Sequence, residues 1–168
     1  MINFDNLKMV LYDFDDTLCI HKNHYRDTDE IVYRHNIDVL RDGADNWHTC
    51  SINNHMKEFM ELCREQGLRQ GLMSATPNLH SAAKCEWVKQ HYGIELENFC
   101  VSRASEKVPT MRALADVYGY QHYQMMIVDD FYEVTEAAGS AGFKACTPMQ
   151  IVNYIEQLRA EVHNGEGI

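Results

Sequence analysis

The chain has 168 residues, 45% of them hydrophobic, which is enough to bury one sizeable core and leaves little for a second. We therefore expect a single domain over residues 1–168. The formal charge is -10, with 25 acidic and 15 basic residues, and this disfavours binding to nucleic acid or anionic membranes. No stretch approaches the roughly 20 apolar residues of a membrane span, and the N-terminus lacks a signal-peptide pattern, so a cytoplasmic location is expected.

The six cysteines are widely spread, with no Cys-x-x-Cys pair and no Cys/His cluster at zinc-finger spacing. Cys63, Cys100 and Cys146 lie inside apolar runs. We expect reduced, mostly buried thiols.

Strand and helix patterns alternate along the chain. Strands are predicted at 9–12, 68–73, 98–101, 125–128 and 143–146. The intervening helices are delimited by caps, Pro and Gly: from Asn53 or Asn54 to Gly67, from Pro77 to Gly93, up to Gly119, up to Gly142, and from Thr147 onward. Nearly continuous apolar strands alternating with helices indicate a three-layer, Rossmann-like α/β fold with a parallel sheet and helices on both faces.

The first strand ends in an unusual cluster of polar residues. Asp13, Asp15, Asp16 and Thr17 follow the apolar run 9–12 directly. Asp is a poor strand former, and crowded carboxylates repel each other and raise each other's pKa unless a cation or a reaction makes use of them. The cluster therefore indicates a site.

Polar residues also follow later strands. Ser74 comes after the second strand, and Asp129 follows the strand at 125–128. Ligands of parallel sheets bind beyond the carboxyl ends of the strands, near the point where strand order reverses. We therefore expect Asp13, Ser74 and Asp129 to meet at one edge of the sheet.

Asp-x-Asp-x-Thr, followed by a Ser, a Lys and an acidic pair near later strand ends, resembles the haloacid dehalogenase-like (HAD) superfamily of mostly Mg²⁺-dependent phosphatases. In this chain the later residues are Ser74, Lys107 and Asp129-Asp130, with Glu133 three residues further. The resemblance extends from about Lys8 to about Cys146. It implies a HAD-like core of the small-cap or capless type.

The resemblance implies a role for each motif residue. Asp13 would be the nucleophile that forms an aspartyl-phosphate, and Asp15 the general acid and base. Ser74 would hydrogen-bond a phosphoryl oxygen, and Lys107 would offset its charge. Thr76 is the competing hydroxyl, since Ser74 could instead cap the following helix. Lys84 is a weaker substitute for Lys107, because it lies inside a helix.

The implied cofactor is Mg²⁺, which takes hard oxygen ligands. Asp13 and Asp129 would supply carboxylates, and Asp15 its backbone carbonyl. Asp130 or Glu133 could hold Lys107 or a metal-bound water, although Glu133 also fits an exposed acid in the first turn of a helix. Asp16 departs from the common pattern, because many relatives have Gly there.

Substrate selection is expected from the segment at about 19–52, where larger relatives insert a cap domain. About thirty residues are too few for that domain, so a short lid or flap is predicted. His21, His24, Tyr25 and Trp47 are its candidate substrate contacts; the histidine spacing fits no compact metal site. Such an open site suits a large phosphorylated substrate, or a lid from a second subunit of a homo-oligomer.

Three functions fit the motifs: a phosphohydrolase, a phosphotransferase or mutase, and a catalytically silent binding module. The phosphohydrolase is favoured, because a catalytically silent protein is expected to lack Asp13, Asp15, Lys107 or Asp129, and all four are present. Asp15 also disfavours dehalogenase activity, because dehalogenase relatives lack this second Asp.

Overall fold

The computed structural model describes residues 6–20, 50–76 and 78–165. Within these, the strands are β1 (Met9–Tyr12), β2 (Cys19–Ile20), β3 (Ser51–Ile52), β4 (Arg69–Leu72), β5 (Glu97–Asn98), β6 (Met125–Val128) and β7 (Lys144–Cys146). The helices are α1 (Asn54–Glu65), α2 (Asn78–Tyr92), α3 (Lys107–Tyr118), α4 (Tyr132–Ser140) and α5 (Pro148–Gly165).

Five strands form a parallel sheet in the order β5-β4-β1-β6-β7. The chain moves from β1 to one side through β4 and β5, then returns to the other side through β6 and β7. Strand order therefore reverses beside β1, in the centre of the sheet. Tyr12 pairs with both Leu72 and Val128, so the residues that follow these three strands emerge at one edge.

The two faces of the sheet carry separate sets of buried side chains, as strand alternation requires. Val10, Tyr12, Met126 and Val128 pack with residues of α1, α2 and α5. Met9, Leu11, Met125 and Ile127 pack with residues of α3 and α4. The predicted three-layer α/β architecture is confirmed. Each fully buried side chain of this size stabilises the fold by about 1.5–3 kcal/mol.

Local sequence signals explain several helix boundaries. The Asn53 side chain accepts a hydrogen bond from the Met56 amide and caps α1. Gly119, with φ of 66°, adopts the left-handed conformation that ends α3. Thr147 and Gln150 exchange side chain to backbone hydrogen bonds before α5.

Two details differ from the sequence prediction. The strand expected at 98–101 is shorter and earlier, at Glu97–Asn98, and is followed by an isolated bridge between Ala75 and Val101; between them the Asn98 side chain accepts from the Cys100 amide. The sequence pattern predicts that Leu79, Ala82, Ala83 and Trp87 share the inward side of α2. In the structure Ala82 is exposed, and the buried residues include Lys84, Trp87 and Val88.

The predicted lid segment starts and ends on an antiparallel ladder, in which β2 pairs with β3 and Cys19 lies opposite Ile52. Residues 21–49 lie outside the described residues, and so do His21, His24, Tyr25 and Trp47. All six cysteines are described, and none of them forms a disulfide. Among the described helices, none has the length and apolar character needed to cross a bilayer.

Candidate active site

Asp13 and Asp129 lie side by side at the carboxyl edge of the sheet. The Asp13 amide donates to Val128 O at 2.9 Å, and the Asp129 amide donates to Cys146 O at 3.1 Å. These bonds continue the pairing of β1 with β6 and of β6 with β7 by one residue. Asp13 is 7% exposed and Asp129 is 0% exposed, so both carboxylates are held away from bulk water.

Lys107, the first residue of α3, joins these two carboxylates. Its ammonium donates to Asp13 Oδ1 at 2.7 Å and to Asp129 Oδ2 at 2.6 Å, and the residue is buried. Burial acts to lower the pKa of Lys107, but the charges of Asp13 and Asp129 outweigh it and raise the pKa above its ordinary value. Lys107 is therefore a fixed cation.

Asp13 retains an elevated pKa in spite of this cation. Burial raises the pKa of Asp13 to about 6, with the charges of Asp129 and Asp15 adding to the effect and Lys107 opposing it. A carboxylate that is costly to ionise in the folded protein is typical of groups whose negative charge is used in binding or chemistry.

Asp130 completes a group of three carboxylates with Asp13 and Asp129, one oxygen of each lying within 4.8 Å of the others. Although Asp130 is exposed overall, the surrounding protein desolvates its carboxyl group, and this raises its pKa to about 7 together with the charges of Asp13 and Asp129. Glu133 is exposed in the first turn of α4 and lies outside this group.

The donor set fits a hard divalent cation. Three converging carboxylates offer oxygen ligands, and two of them have a pKa raised partly by mutual repulsion that a cation would relieve. Lys107 occupies one oxygen each of Asp13 and Asp129, but a carboxylate has about four lone-pair positions and can bind both partners. The residues present therefore fit the Mg²⁺ that the motifs imply.

A second lysine reaches the site from α2. Lys84 Nζ donates to Asp15 Oδ2 at 2.5 Å and to Ser74 Oγ at 2.9 Å. From the sequence, Lys84 is expected only as a weaker substitute for Lys107, because it lies inside a helix. The missed signal is its spacing, because Lys84, Val88 and Tyr92 recur every four residues and all three are buried.

Ser74 and Thr76 are both buried beyond β4. The Thr76 amide donates to Val101 O, and Ser74 O accepts from the Val101 amide, so parallel pairing continues past the end of β4 as far as Thr76. The Ser74 hydroxyl is the one that shares Lys84 with Asp15. This contact places Ser74 within the group of motif residues.

Asp16 lies in the turn that follows β1. Asp16 has φ of 54°, in the left-handed region that favours Gly. Its amide donates to Cys19 O and closes the turn. The next residue, Thr17, is fully buried, and its hydroxyl has no hydrogen-bond partner within the described part of the chain.

At this edge of the sheet, each of two lysines therefore bonds to two site residues. Lys107 holds Asp13 and Asp129, while Lys84 holds Asp15 and Ser74. Such a site can bind an anion between fixed cations and hydroxyls, hold a divalent cation on carboxylates, and supply a carboxylate oxygen as nucleophile.

Comparison with known proteins gives matches among solved structures. No protein-family model matches the chain, and no curated protein matches it significantly. A HAD family enzyme from Bacteroides thetaiotaomicron, in a magnesium complex, aligns with a TM-score of 0.57 and 15% identity over 85% of this chain and 93% of that one.

Two further structures are similar. The cobalt-bound deoxy-D-mannose-octulosonate 8-phosphate phosphatase of Haemophilus influenzae has a TM-score of 0.52 and 17% identity, covering 86% of this chain and 70% of that one. A HAD-superfamily hydrolase from Geobacter sulfurreducens has a TM-score of 0.56 and 12% identity, over 83% and 86%. The chain therefore has the fold of haloacid dehalogenase-like enzymes, with its motif residues gathered at the carboxyl edge of the sheet.

Proposed function

We propose that this protein is a Mg²⁺-dependent phosphohydrolase that cleaves a phosphate monoester. The observation that carries the proposal is the ammonium of Lys107 bonded to both Asp13 and Asp129 at the point where strand order reverses. A phosphate monoester is an anion that repels nucleophiles, so its hydrolysis needs fixed positive charge beside an attacking oxygen.

Asp13 acts as the nucleophile. One of its carboxylate oxygens forms a bond to phosphorus while the bond from phosphorus to the leaving oxygen breaks, and Asp15 gives that oxygen a proton. Water then attacks the phosphorus of the aspartyl-phosphate, Asp15 takes the water's proton, and the Asp13 carboxylate is released with inorganic phosphate. Asp15 returns to its starting protonation state, so the cycle balances.

Lys107 and Ser74 bind the phosphoryl group. Lys107 is already bonded to Asp13, so it fixes the nucleophile and offsets phosphoryl charge from the same position. The Ser74 hydroxyl donates to a phosphoryl oxygen. Since both side chains are buried, these bonds form where water competes little and electrostatic attraction is strong.

Asp13, Asp129 and Asp130 would hold Mg²⁺, and the resemblance adds the backbone carbonyl of Asp15 as a further ligand. When bound, it neutralises charge on the phosphoryl oxygens. The magnesium and phosphate complex of the Bacteroides thetaiotaomicron enzyme and the phosphatase activity named for the Haemophilus influenzae protein support this assignment.

The proposal is tested by measuring the hydrolysis of a nitrophenyl phosphate, once with Mg²⁺ and once with excess chelator. We expect turnover that requires Mg²⁺ and disappears in Asp13→Asn, because an amide cannot attack phosphorus and binds the cation poorly. Asp116→Asn, on the exposed side of α3, is the matched control and should retain activity. Full activity in chelator, or in Asp13→Asn, would contradict the proposal.

A further inference from the structure

Lys84 connects two side chains that the proposed reaction uses for different purposes. Its ammonium donates to Asp15 Oδ2 at 2.5 Å and to Ser74 Oγ at 2.9 Å. The residue is 3% exposed, and the ammonium lies 4.8 Å from the centre of the Phe14 ring. Because a buried ammonium is costly unless its protons are bonded, these contacts define one position for it.

The contact with Asp15 concerns the leaving group. The Asp15 side chain is 38% exposed, so part of it faces water. The bond from Lys84 holds one carboxylate oxygen in place. A proton donor must lie within hydrogen-bond reach of the oxygen it protonates, so this restraint bears directly on the proton exchange assigned to Asp15.

The contact with Ser74 concerns the phosphoryl group. Ser74 Oγ accepts a hydrogen bond from Lys84, so its own hydroxyl proton is directed away from the ammonium. The cation also polarises the hydroxyl and makes it a stronger donor to an anion. A single ammonium thereby orients one group for the leaving oxygen and another for a phosphoryl oxygen.

We propose that Lys84 is a positioning residue, which orients Asp15 for proton exchange with the leaving oxygen and Ser74 for donation to the phosphoryl group. This inference rests on the proposed phosphohydrolase function. Lys107 is bonded to a different pair, Asp13 and Asp129, so the two lysines have separate tasks. Lys84 lies on the buried face of α2 and acts through Asp15 and Ser74, so its loss should lower kcat/KM more for esters with a poor leaving group.

The test compares phenyl phosphate with nitrophenyl phosphate in wild type and Lys84→Met, with saturating Mg²⁺. The two esters have similar shape, but phenolate is the poorer leaving group and depends more on protonation. We expect kcat/KM to fall by about 10–100-fold for phenyl phosphate and by about 3-fold or less for nitrophenyl phosphate. In an Asp15→Asn background, Lys84→Met should cause no further ester-selective loss.

Lys89→Met is the matched control, because Lys89 lies on the same helix, is exposed, and pairs only distantly with Glu95 at 3.4 Å. Its kcat/KM for both esters should equal that of wild type. Equal losses on both esters in Lys84→Met would show that Lys84 does not orient Asp15 for the leaving oxygen, and would overturn the inference alone. A wild type inactive on both esters would overturn the proposed function and the inference with it.

Lys84→Gln provides a second variant where Lys84→Met does not fold. The amide can still donate a hydrogen bond but carries no charge, so we expect the same ester-selective loss at smaller size. Lys84→Arg, which keeps a cation near Asp15, should restore part of the phenyl phosphate activity. An unchanged ratio of the two esters in Lys84→Gln would overturn the inference.

Discussion

The ammonium of Lys107 lies 2.6 Å from Asp129, and both side chains are almost fully removed from solvent. Such a pair is sensitive to the loss of one partner, because the other is left as a buried and uncompensated charge. Asp13 makes the arrangement more sensitive still, since it is a second carboxylate bonded to the same ammonium.

Lys107→Met is therefore expected to lower the free energy of unfolding by about 3–5 kcal/mol in the absence of metal. Urea denaturation with and without Mg²⁺ measures the effect, and Mg²⁺ should restore part of the loss by binding the two carboxylates left without their cation. The exposed Lys89→Met, which removes an ion pair with Glu95, should cost less than about 1 kcal/mol. Similar losses in both variants would contradict a buried-charge origin.

Substitutions of Asp15 and Asp129 should have different effects, the first on turnover and the second on Mg²⁺ affinity. Asp15→Asn should lower turnover by about 10²–10⁴-fold, the usual effect of losing a general acid and base, with little change in Mg²⁺ affinity. Asp129→Asn should weaken Mg²⁺ binding strongly, because Asp129 belongs to the converging carboxylates. Calorimetric titration gives the affinities. Intact turnover in Asp15→Asn and unchanged metal binding in Asp129→Asn would show that the roles are wrongly assigned.

Asp130 should make the metal-free protein less stable as pH rises. Its pKa is raised from 3.8 to about 7, so between these values the unfolded chain loses this proton before the folded protein does. Stability is therefore lost as pH increases through that window. It levels off above the folded pKa.

The comparison is between wild type and Asp130→Asn, measured by thermal unfolding at about pH 5 and about pH 8. Asp130→Asn should gain melting temperature relative to wild type at the higher pH, and saturating Mg²⁺ should reduce this advantage. Glu133→Gln removes one negative charge from the same region outside the carboxylate group and is the control. A difference between wild type and Asp130→Asn that does not change with pH would refute this explanation.

Much of the site could be predicted because strand ends are local features. The apolar runs before Asp13 and Asp129 have the length and composition of buried parallel strands, and parallel strands place their carboxyl ends together. Lys84 could not be placed this way. Its position depends on the rotation of α2 about its axis, which the packing of Trp87 and Val88 determines.

The backbone conformation of Asp16 could not be predicted from the sequence pattern either. The resemblance indicated Gly at the position of Asp16, but only the structure gives φ of 54° for this residue, a value that costs an L-residue energy. The charge of Asp16 adds to the strain, because it contributes to the raised pKa of Asp130. Backbone conformation and charge repulsion are therefore two separate costs of Asp16 in the metal-free fold.

Asp16→Gly is accordingly expected to stabilise the metal-free protein by about 0.5–1 kcal/mol, after the greater chain entropy of Gly is subtracted from the relief of strain and charge. Asn6→Gly is the matched control, because Asn6 has nearly the same φ, 61°, but is uncharged. Thermal unfolding should show a larger gain for Asp16→Gly, and the excess over Asn6→Gly should shrink with Mg²⁺ or high salt, which screen the carboxylates. Equal gains in the two variants would assign the effect to the backbone alone, and a loss in Asp16→Gly would mean that the Asp16 side chain stabilises the turn.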